Sequence, residues 1–276
     1  MHARELLGEA GCTPGDWHWI DRGDAADIAF DRDCEAARKA LNSLRAPVDW
    51  VAQPAADREK RLFVADMDST MIGQECIDEL ADFAGVKSEV ALVTERAMRG
   101  EIDFSAALDA RVALLKGLDV GAITTCLAER IVDTPGASTL VHTMRSRGAM
   151  TVLVSGGFTR FAGPVGQRIG FNAVHANVLE IDGDRLAGSV ARPVVDADAK
   201  RNTLVQACAK LGLRPEQTLA IGDGANDVAM IRAAGLGIAY RAKPALVEAA
   251  DASVDHNDLT ALLWAQGIAR CDWAKT

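Results

Sequence analysis

Two aspartates, Asp66 and Asp68, stand two residues apart directly after the apolar run Leu62–Ala65. An apolar run without polar alternation is typical of a strand that helices cover on both faces. Ligands of open α/β sheets bind beyond the carboxyl ends of such strands, so we expect the two carboxylates to lie where chemistry occurs. Residues 66–70 also fit an acidic turn in which Asp68 or Ser69 caps a helix. The motif alone leaves both interpretations open.

Polar and glycine-rich stretches follow two other apolar runs. Residues 150–154 lead into Ser155 and Gly156, where the backbone can approach a ligand closely and the serine hydroxyl can donate to a phosphate oxygen. Residues 218–221 lead into Gly-Asp-Gly-Ala-Asn-Asp over residues 222–227. Acids again fall at the carboxyl end of a predicted strand, and the glycines there allow tight turns.

The order of the predicted elements indicates an α/β fold with a doubly wound, mostly parallel, Rossmann-like sheet. Residues 74–144 differ in character, because they are rich in Ala, Leu, Glu, Lys and Arg at helical spacing. We predict that they form a helical cap inserted after the first core strand. The core then comprises residues 61–73 and 145–276, with a hairpin within residues 173–195 and a helix over residues 198–211.

Residues 1–60 are predicted to form a small α+β segment. Its expected elements are a strand over residues 27–30, a helix over 34–44 and a second strand over 48–51. A piece this short cannot bury much core alone, so we expect it to dock on the main body or on another subunit. The second alternative would make the protein a homodimer.

Composition narrows the range of partners. The chain has 276 residues and a net charge of -9, with no Lys/Arg cluster, so we expect no nucleic-acid surface. Its six cysteines form no Cys-x-x-Cys pair, which is typical of thiols in a reducing compartment. The amino terminus lacks an apolar signal region, and no uncharged run approaches 18 residues. These features predict a soluble, cytoplasmic protein without a membrane segment.

The motifs Asp-Met-Asp-Ser-Thr, Ser-Gly-Gly and Gly-Asp-Gly-Ala-Asn-Asp, with a lysine between the last two, resemble those of the haloacid dehalogenase-like phosphohydrolases. The resemblance covers residues 61–258. It implies that Asp66 is a nucleophile forming a phosphoaspartyl intermediate, and that Asp68 is the general acid and base. It also implies Mg²⁺ bound by Asp66, the Asp68 backbone carbonyl and Asp223, with Asp227 as a further ligand or as support through water.

The remaining roles in the core also come from the resemblance. Ser155, Gly156 and Lys200 would bind the phosphoryl oxygens, and Asn226 would reach the phosphate or the attacking water. Without the resemblance, Lys200 would be interpreted as an ordinary solvated lysine near the start of a helix.

Residues 66–80, 97–104 and 110–118 resemble the branch of this family that hydrolyses phosphoserine. Free phosphoserine, a small phosphorylated amino acid, carries an ammonium and a carboxylate. Glu75 would accept from the ammonium and Arg111 would bind the carboxylate in bidentate fashion. Met98 and Phe104 would form an apolar lid. Without the resemblance, the two charged residues would be solvated and the two apolar ones would be cap core.

Three alternatives stay open at this point. The first is a phosphatase of another small ester, such as phosphothreonine. The second is a phosphotransferase that delivers the phosphoryl group to an alcohol, such as homoserine. The third is a signalling domain whose strand-end aspartate accepts a phosphoryl group as a switch, although such a domain requires neither the second aspartate nor the cap.

Overall fold

The structure is a computed structural model that describes residues 2–275, and it contains ten strands and twelve α-helices within that range. The strands are β1 (Trp17–Asp21), β2 (Ala25–Ile28), β3 (Leu62–Ala65), β4 (Met150–Phe158), β5 (Ala173–Asn177), β6 (Leu179–Asp182), β7 (Arg185–Val190), β8 (Thr218–Gly222), β9 (Leu236–Tyr240) and β10 (Ala252–Val254). The helices are α1 (His2–Glu9), α2 (Cys34–Leu41), α3 (Cys76–Phe83), α4 (Lys87–Met98), α5 (Phe104–Leu114), α6 (Gly121–Glu129), α7 (Ala137–Ser146), α8 (Thr159–Ile169), α9 (Ala197–Lys210), α10 (Val228–Ala233), α11 (Pro244–Val247) and α12 (Ala261–Ala265).

Six strands form the central sheet in the order β10-β9-β8-β3-β4-β5, and all neighbours are parallel. This confirms the predicted fold class. The strand order reverses at β3, because the chain continues to β4 on one side and reaches β8 on the other. Ala65 pairs with Leu153 of β4 and Ile221 of β8, so the residues that follow these positions share one edge of the sheet. An edge at such a reversal is where α/β proteins bind ligands.

The four residues of β3 have no exposed surface. Phe63 and Ala65 belong to the larger hydrophobic cluster, whereas Leu62 and Val64 pack in the cluster on the opposite face of the sheet. Both faces are therefore covered, which explains why the sequence of β3 shows no polar alternation.

The helices α3–α6 follow β3 as the predicted insertion, and the chain returns through α7, which packs against β4 and α8. The segment that enters this insertion after β3 and the segment that leaves it before α7 run beside each other. The N–H of Gly73 donates to the Val132 carbonyl at 3.1 Å, and Ile72 forms an isolated bridge with Asp133. None of the helices within residues 2–275 has the length and apolar character needed to cross a membrane.

The amino-terminal segment contains two helices and an antiparallel hairpin of β1 and β2. The prediction of a strand over residues 48–51 was wrong. This stretch has no partner strand, and the carboxylate of Asp49 instead accepts the backbone N–H groups of residues 255–257. The strand that pairs with β2 is β1, whose residues are mostly exposed and show no alternation of burial. The segment docks on the main body, as one of the two alternatives predicted.

Candidate active site

Asp66 lies at the carboxyl end of β3 and is only 4 % exposed. Its N–H donates to the Ile221 carbonyl of β8 at 3.0 Å, which continues the sheet pairing and fixes the residue. Its Oδ1 accepts from the N–H of Met67 at 2.8 Å and lies 2.7 Å from Nζ of Lys200. Burial raises the pKa of Asp66 well above its usual range, the charge of Asp227 adds to this, and Lys200 opposes it.

Asp68 occupies the tight turn that follows β3. The turn is possible because Ser69 adopts a left-handed conformation with φ of 54°. The Asp68 carboxylate accepts from the N–H of Cys76 at 3.0 Å and from the Ser155 hydroxyl at 3.2 Å. Burial raises the pKa of Asp68 despite these donors. A carboxyl group with a raised pKa can hold a proton at the site, as a general acid must.

Lys200 lies in the first turn of α9, and Asp196 caps this helix by accepting the N–H of Ala199 at 2.8 Å. The lysine is 1 % exposed, and its Nζ lies 2.7 Å from Asp66 and 2.8 Å from Asp227. These two carboxylates outweigh the effect of burial and raise the pKa of Lys200, so the group stays charged. The interpretation of Lys200 as an ordinary solvated lysine was therefore wrong.

The turn after β8 brings two more carboxylates to the same edge. A β-carbon at Gly222 would lie 2.5 Å from Cγ of Asp227, so only glycine leaves room for this buried side chain. Asp223 is 7 % exposed, and burial raises the pKa of its carboxyl group. Nζ of Lys243, from the loop after β9, lies 3.6 Å from Asp223 and opposes that effect.

Asp66, Asp223 and Asp227 each offer a carboxylate oxygen within 4.8 Å of the others. Three buried acids this close repel one another, and a cation placed among them relieves both the repulsion and the cost of burial. Oxygen donors are the ligands that hard divalent cations take. The donor set therefore fits a metal ion of that class. Lys200 and the more exposed Lys243 supply two positive charges to the three carboxylates, which leaves a negative charge for a cation to balance.

Ser155, Gly156 and Gly157 form a turn within β4 that faces Asp68. The Ser155 hydroxyl oxygen accepts from the N–H of Gly157 at 2.8 Å, which orients its proton toward Asp68. A β-carbon at Gly157 would lie 2.8 Å from Oδ2 of Asp68, so a larger residue would displace the acid. The turn thus places the Ser155 hydroxyl and the backbone of Gly157 beside Asp68.

The cap residues reach the site to different extents. Phe104 extends its ring over the turn, because a β-carbon at Gly156 would lie 3.3 Å from its Cζ. Glu75 stands at the mouth of the site, where its carboxylate accepts from the Ser69 hydroxyl at 2.8 Å. Although Glu75 is exposed at the surface, neighbouring protein partly desolvates its carboxylate and raises its pKa, and the charge of Asp68 raises it further.

Arg111, on α5, is half-buried, and its Nε donates to the Ala107 carbonyl at 3.2 Å. Burial lowers its pKa, whereas the charges of Asp78 and Glu75 oppose that effect. The structure thus places Arg111 and Glu75 within electrostatic reach of each other.

The two remaining residues predicted for the site differ in position. Met98 ends α4 and is 77 % exposed, so its interpretation as cap core was wrong, whereas Phe104 does pack against the main hydrophobic cluster. Asn226 is half-buried in the turn after β8. Their roles toward substrate stay predictions.

Two residues that sequence reasoning missed lie at the site. Lys243 faces Asp223, and Asn177, at the end of β5, holds the carbonyl of Gly156. Asn177 could have been found by the rule that located Asp66, because it is a polar residue at the carboxyl end of a parallel strand. The sequence around Lys243 does not indicate a site residue, because a lysine in a loop after a strand is usually solvated.

A family model described as haloacid dehalogenase-like hydrolase matches residues 60–235. The phosphoserine phosphatase of Archaeoglobus fulgidus is 44% identical over 235 residues, which are 84% of this chain and 68% of that protein. A haloacid dehalogenase family hydrolase of Salmonella enterica serovar Typhi has a TM-score of 0.82 at 27% identity, covering 95% of this chain and 92% of that one. A phosphoserine phosphatase solved as a phospho-aspartyl intermediate analogue has a TM-score of 0.68 at 36% identity, covering 75% of this chain and 98% of that one.

The chain therefore belongs to the haloacid dehalogenase-like hydrolases. Within that family, this chain is similar to the Archaeoglobus protein and to the protein solved as an intermediate analogue, and both of these are phosphoserine phosphatases.

Proposed function

We propose that the protein is a Mg²⁺-dependent phosphatase that converts O-phospho-L-serine to L-serine and phosphate, the last step of serine biosynthesis. The observation that carries this proposal is the buried carboxylate of Asp66, which lies at a strand end within 4.8 Å of two further acids and 2.7 Å from Lys200. A nucleophile that must meet a negatively charged phosphate needs positive charge around it. Lys200 supplies one such charge, and a cation held by the three carboxylates would add more. The similarity to phosphoserine phosphatases supports the choice of substrate.

In the first step, an Asp66 carboxylate oxygen attacks phosphorus, the bond between phosphorus and the serine oxygen breaks, and the departing oxygen takes a proton from Asp68. In the second step, Asp68 takes a proton from water as the water oxygen attacks the same phosphorus. The acyl phosphate bond then breaks and frees Asp66. The hydrogen bonds from Cys76 and Ser155 hold Asp68 in place for both transfers.

The phosphoryl oxygens bind to Lys200, the Ser155 hydroxyl and the backbone of Gly156, with Asn226 in reach of the phosphate or of the water. Asp66, the Asp68 backbone carbonyl and Asp223 would hold Mg²⁺, and Asp227 would support it as a ligand or through water. A bound magnesium ion supplies positive charge to the phosphoryl oxygens. Lys200, which contacts Asp66 and Asp227, contributes a further positive charge beside the nucleophile.

The cap selects the substrate in this proposal. Glu75 accepts from the substrate ammonium, and Arg111 binds the carboxylate through two parallel hydrogen bonds. Phe104 and Met98 cover the site and keep out water until serine has left. The exposed position of Met98 requires the cap to move for this contact to form.

The organisation of the chain completes the proposal. We assign residues 1–60 to the amino-terminal segment, 74–144 to the cap, and 61–73 with 145–276 to the core. We also propose a cytoplasmic location and a small phosphorylated amino acid as the partner. A homodimer stays a prediction, which sedimentation of the purified protein would test.

The experiment that tests this function measures phosphate release from L-phosphoserine, with and without Mg²⁺, beside phosphothreonine, sugar phosphates and nucleotides. We expect Mg²⁺-dependent turnover with phosphoserine preferred. Preference for another ester would contradict the substrate and leave the core chemistry intact. A rise in serine release without a matching rise in free phosphate, on addition of homoserine, would identify a transferase. No turnover with a stable phosphoaspartate would identify a signalling domain.

A further inference from the structure

The strands β4 and β5 change register beside the active site. Val154 pairs with His175, but the next pair joins Phe158 to Asn177. Between these two pairs β4 contains three residues, the turn of Ser155, Gly156 and Gly157, whereas β5 contains only Ala176. Extra residues in one strand lose their pairing partners and need other hydrogen bonds when they are buried.

The side chain of Asn177 supplies such bonds. The residue is 2 % exposed. Its Nδ2 donates to the Gly156 carbonyl at 2.8 Å, and its Oδ1 accepts from the N–H of Val195 at 2.7 Å. One partner can only accept and the other can only donate, so the pair of contacts fixes the orientation of the amide.

These two partners belong to different parts of the phosphate site. Gly156 is in the turn that presents the Ser155 hydroxyl, and Val195 directly precedes Asp196, the residue that caps α9. Helix α9 carries Lys200 in its first turn. The Val195 carbonyl would lie 3.7 Å from a β-carbon at Gly156, so the two backbone segments also lie against each other. The Asn177 amide joins them.

We propose that Asn177 is a positioning residue that sets the separation between the Ser155–Gly157 turn and the amino end of α9. It thereby holds the serine hydroxyl and the lysine ammonium at the distance that the oxygens of one phosphoryl group require. This inference rests on the proposed phosphatase function. A displacement of about 1 Å in such a site lowers catalysis by about 10²-fold, although the displaced groups themselves are unchanged.

The chain offers a matched control on the same two strands. Asn172 lies just before β5, at the end of the strand pair away from the site. Its Oδ1 accepts from the N–H and from the hydroxyl of Thr151, both at 3.0 Å. Replacement of either asparagine by alanine therefore removes two hydrogen bonds. Those of Asn172 go to Thr151 of β4, and those of Asn177 go to Gly156 of β4 and to Val195 before α9. Only the Asn177 pair borders the phosphate site.

The test compares Asn177→Ala, Asn177→Asp and Asn172→Ala with the wild type. For each protein, we would measure kcat and KM with p-nitrophenyl phosphate, the inhibition constant for inorganic phosphate and the thermal midpoint. Asn177→Asp is nearly isosteric and keeps the acceptor for Val195, but it cannot donate to the Gly156 carbonyl when ionised.

We expect kcat/KM of Asn177→Ala to fall by about 10²-fold and its inhibition constant for phosphate to rise about tenfold. Asn177→Asp should show a smaller rise in that inhibition constant and remain folded. Asn172→Ala should lower the thermal midpoint while kcat/KM and the inhibition constant stay within about twofold of the wild type.

An unchanged inhibition constant in the folded Asn177→Asp protein would overturn the proposal, as would equal changes in Asn177→Ala and Asn172→Ala. None of these measurements uses phosphoserine. A wild-type enzyme that hydrolyses the aryl phosphate but ignores phosphoserine would contradict the proposed substrate alone. If the wild type turned over no ester, calorimetric binding of orthovanadate to the same variants would replace the kinetic readouts.

Discussion

The pKa values of carboxyl groups shift in opposite directions in two regions of the molecule. They are raised at the active site and lowered at the seam, where the amino-terminal segment meets the core. Burial raises the pKa of Asp66, Asp68 and Asp223 at the site. At the seam, burial also raises the pKa of Asp49, but hydrogen bonds from residues 255–257 outweigh it and the net pKa is lowered. The N–H of Arg270 and the indole of Trp264 lower the pKa of Asp21.

This difference indicates that the site carboxylates serve the chemistry, whereas the seam carboxylates stabilise the fold. The seam acids have donors for their charge, so their ionised forms favour the folded state. The site acids lack enough donors, so their ionised forms cost free energy that the rest of the fold must supply. The comparison predicts that substitutions of the site carboxylates abolish activity without loss of stability, whereas substitutions of the seam carboxylates lower stability without loss of activity.

The largest expected effect comes from Asp66→Asn. The amide keeps the shape of the side chain but cannot attack phosphorus, so we expect kcat for phosphate release to fall by about 10⁴-fold or more. The thermal midpoint without added metal should not fall, because the substitution removes one of the mutually repelling charges. Activity within tenfold of the wild type would contradict the role of Asp66 as nucleophile.

Lys200→Met should lower both activity and stability. It removes one donor to the phosphoryl oxygens, which we expect to reduce kcat by about 10²–10³-fold. It also leaves Asp66 and Asp227 without their buried partner, so the free energy of unfolding without metal should fall by about 3–5 kcal/mol. Lys210→Met, at the exposed end of the same helix, is the control for denaturant unfolding and phosphate release. Equal effects of the two substitutions would refute this account of Lys200.

Arg111→Ala should act on the substrate rather than on the chemistry. We expect kcat/KM for phosphoserine to fall by about 10²-fold, because the substrate carboxylate loses its partner. Turnover of an aryl phosphate without a carboxylate should change little. Arg99→Ala in the cap, where the arginine pairs with Glu95 and Glu101, should leave both substrates unaffected. Equal losses on the two substrates in Arg111→Ala would mean that Arg111 only supports the cap.

Asp49→Ala should have the smallest effect and should act only on stability. The loss of a carboxylate that accepts several backbone N–H groups should lower the free energy of unfolding at pH 7 by about 1–3 kcal/mol. The lowered pKa of Asp49 means that its contribution is present above the pKa of the unfolded state and is lost as the pH falls through the folded one. The wild type and the variant should therefore converge at acid pH, as urea titrations at several pH values would reveal. Reduced phosphatase activity in the folded Asp49→Ala protein would contradict the claim that seam carboxylates affect only stability.

The parts predicted from sequence are those that local physics determines. The strands before Asp66, Ser155 and Asp223 are buried on both faces and therefore consist of apolar residues, which made their ends recognisable. The amino-terminal hairpin was missed in part because β1 is largely exposed and lacks a periodic pattern. Residues 48–51 have the composition of a strand. Their own sequence cannot show that no neighbouring strand is available to pair with them.

The burial of Lys200 and the amide bridge of Asn177 depend on partners distant in sequence. The partners of Lys200 follow the ends of two strands, β3 and β8. Those of Asn177 come from the turn within β4 and from the segment just before α9. Family resemblance assigned Lys200 its role in advance. Asn177 belongs to none of the family motifs, so only its place at the carboxyl end of β5 could have indicated it. Its side chain contacts backbone groups of two other segments.

The most direct test of the central claim is to identify the group that becomes phosphorylated during turnover. The protein would be mixed with L-phosphoserine and Mg²⁺, quenched with acid within one turnover and mapped by mass spectrometry. We expect a transient phosphoryl group on Asp66 that forms only with Mg²⁺ and is absent from Asp66→Asn. Phosphorylation of Asp68 or of another residue, or hydrolysis at full rate without any covalent intermediate, would contradict the account.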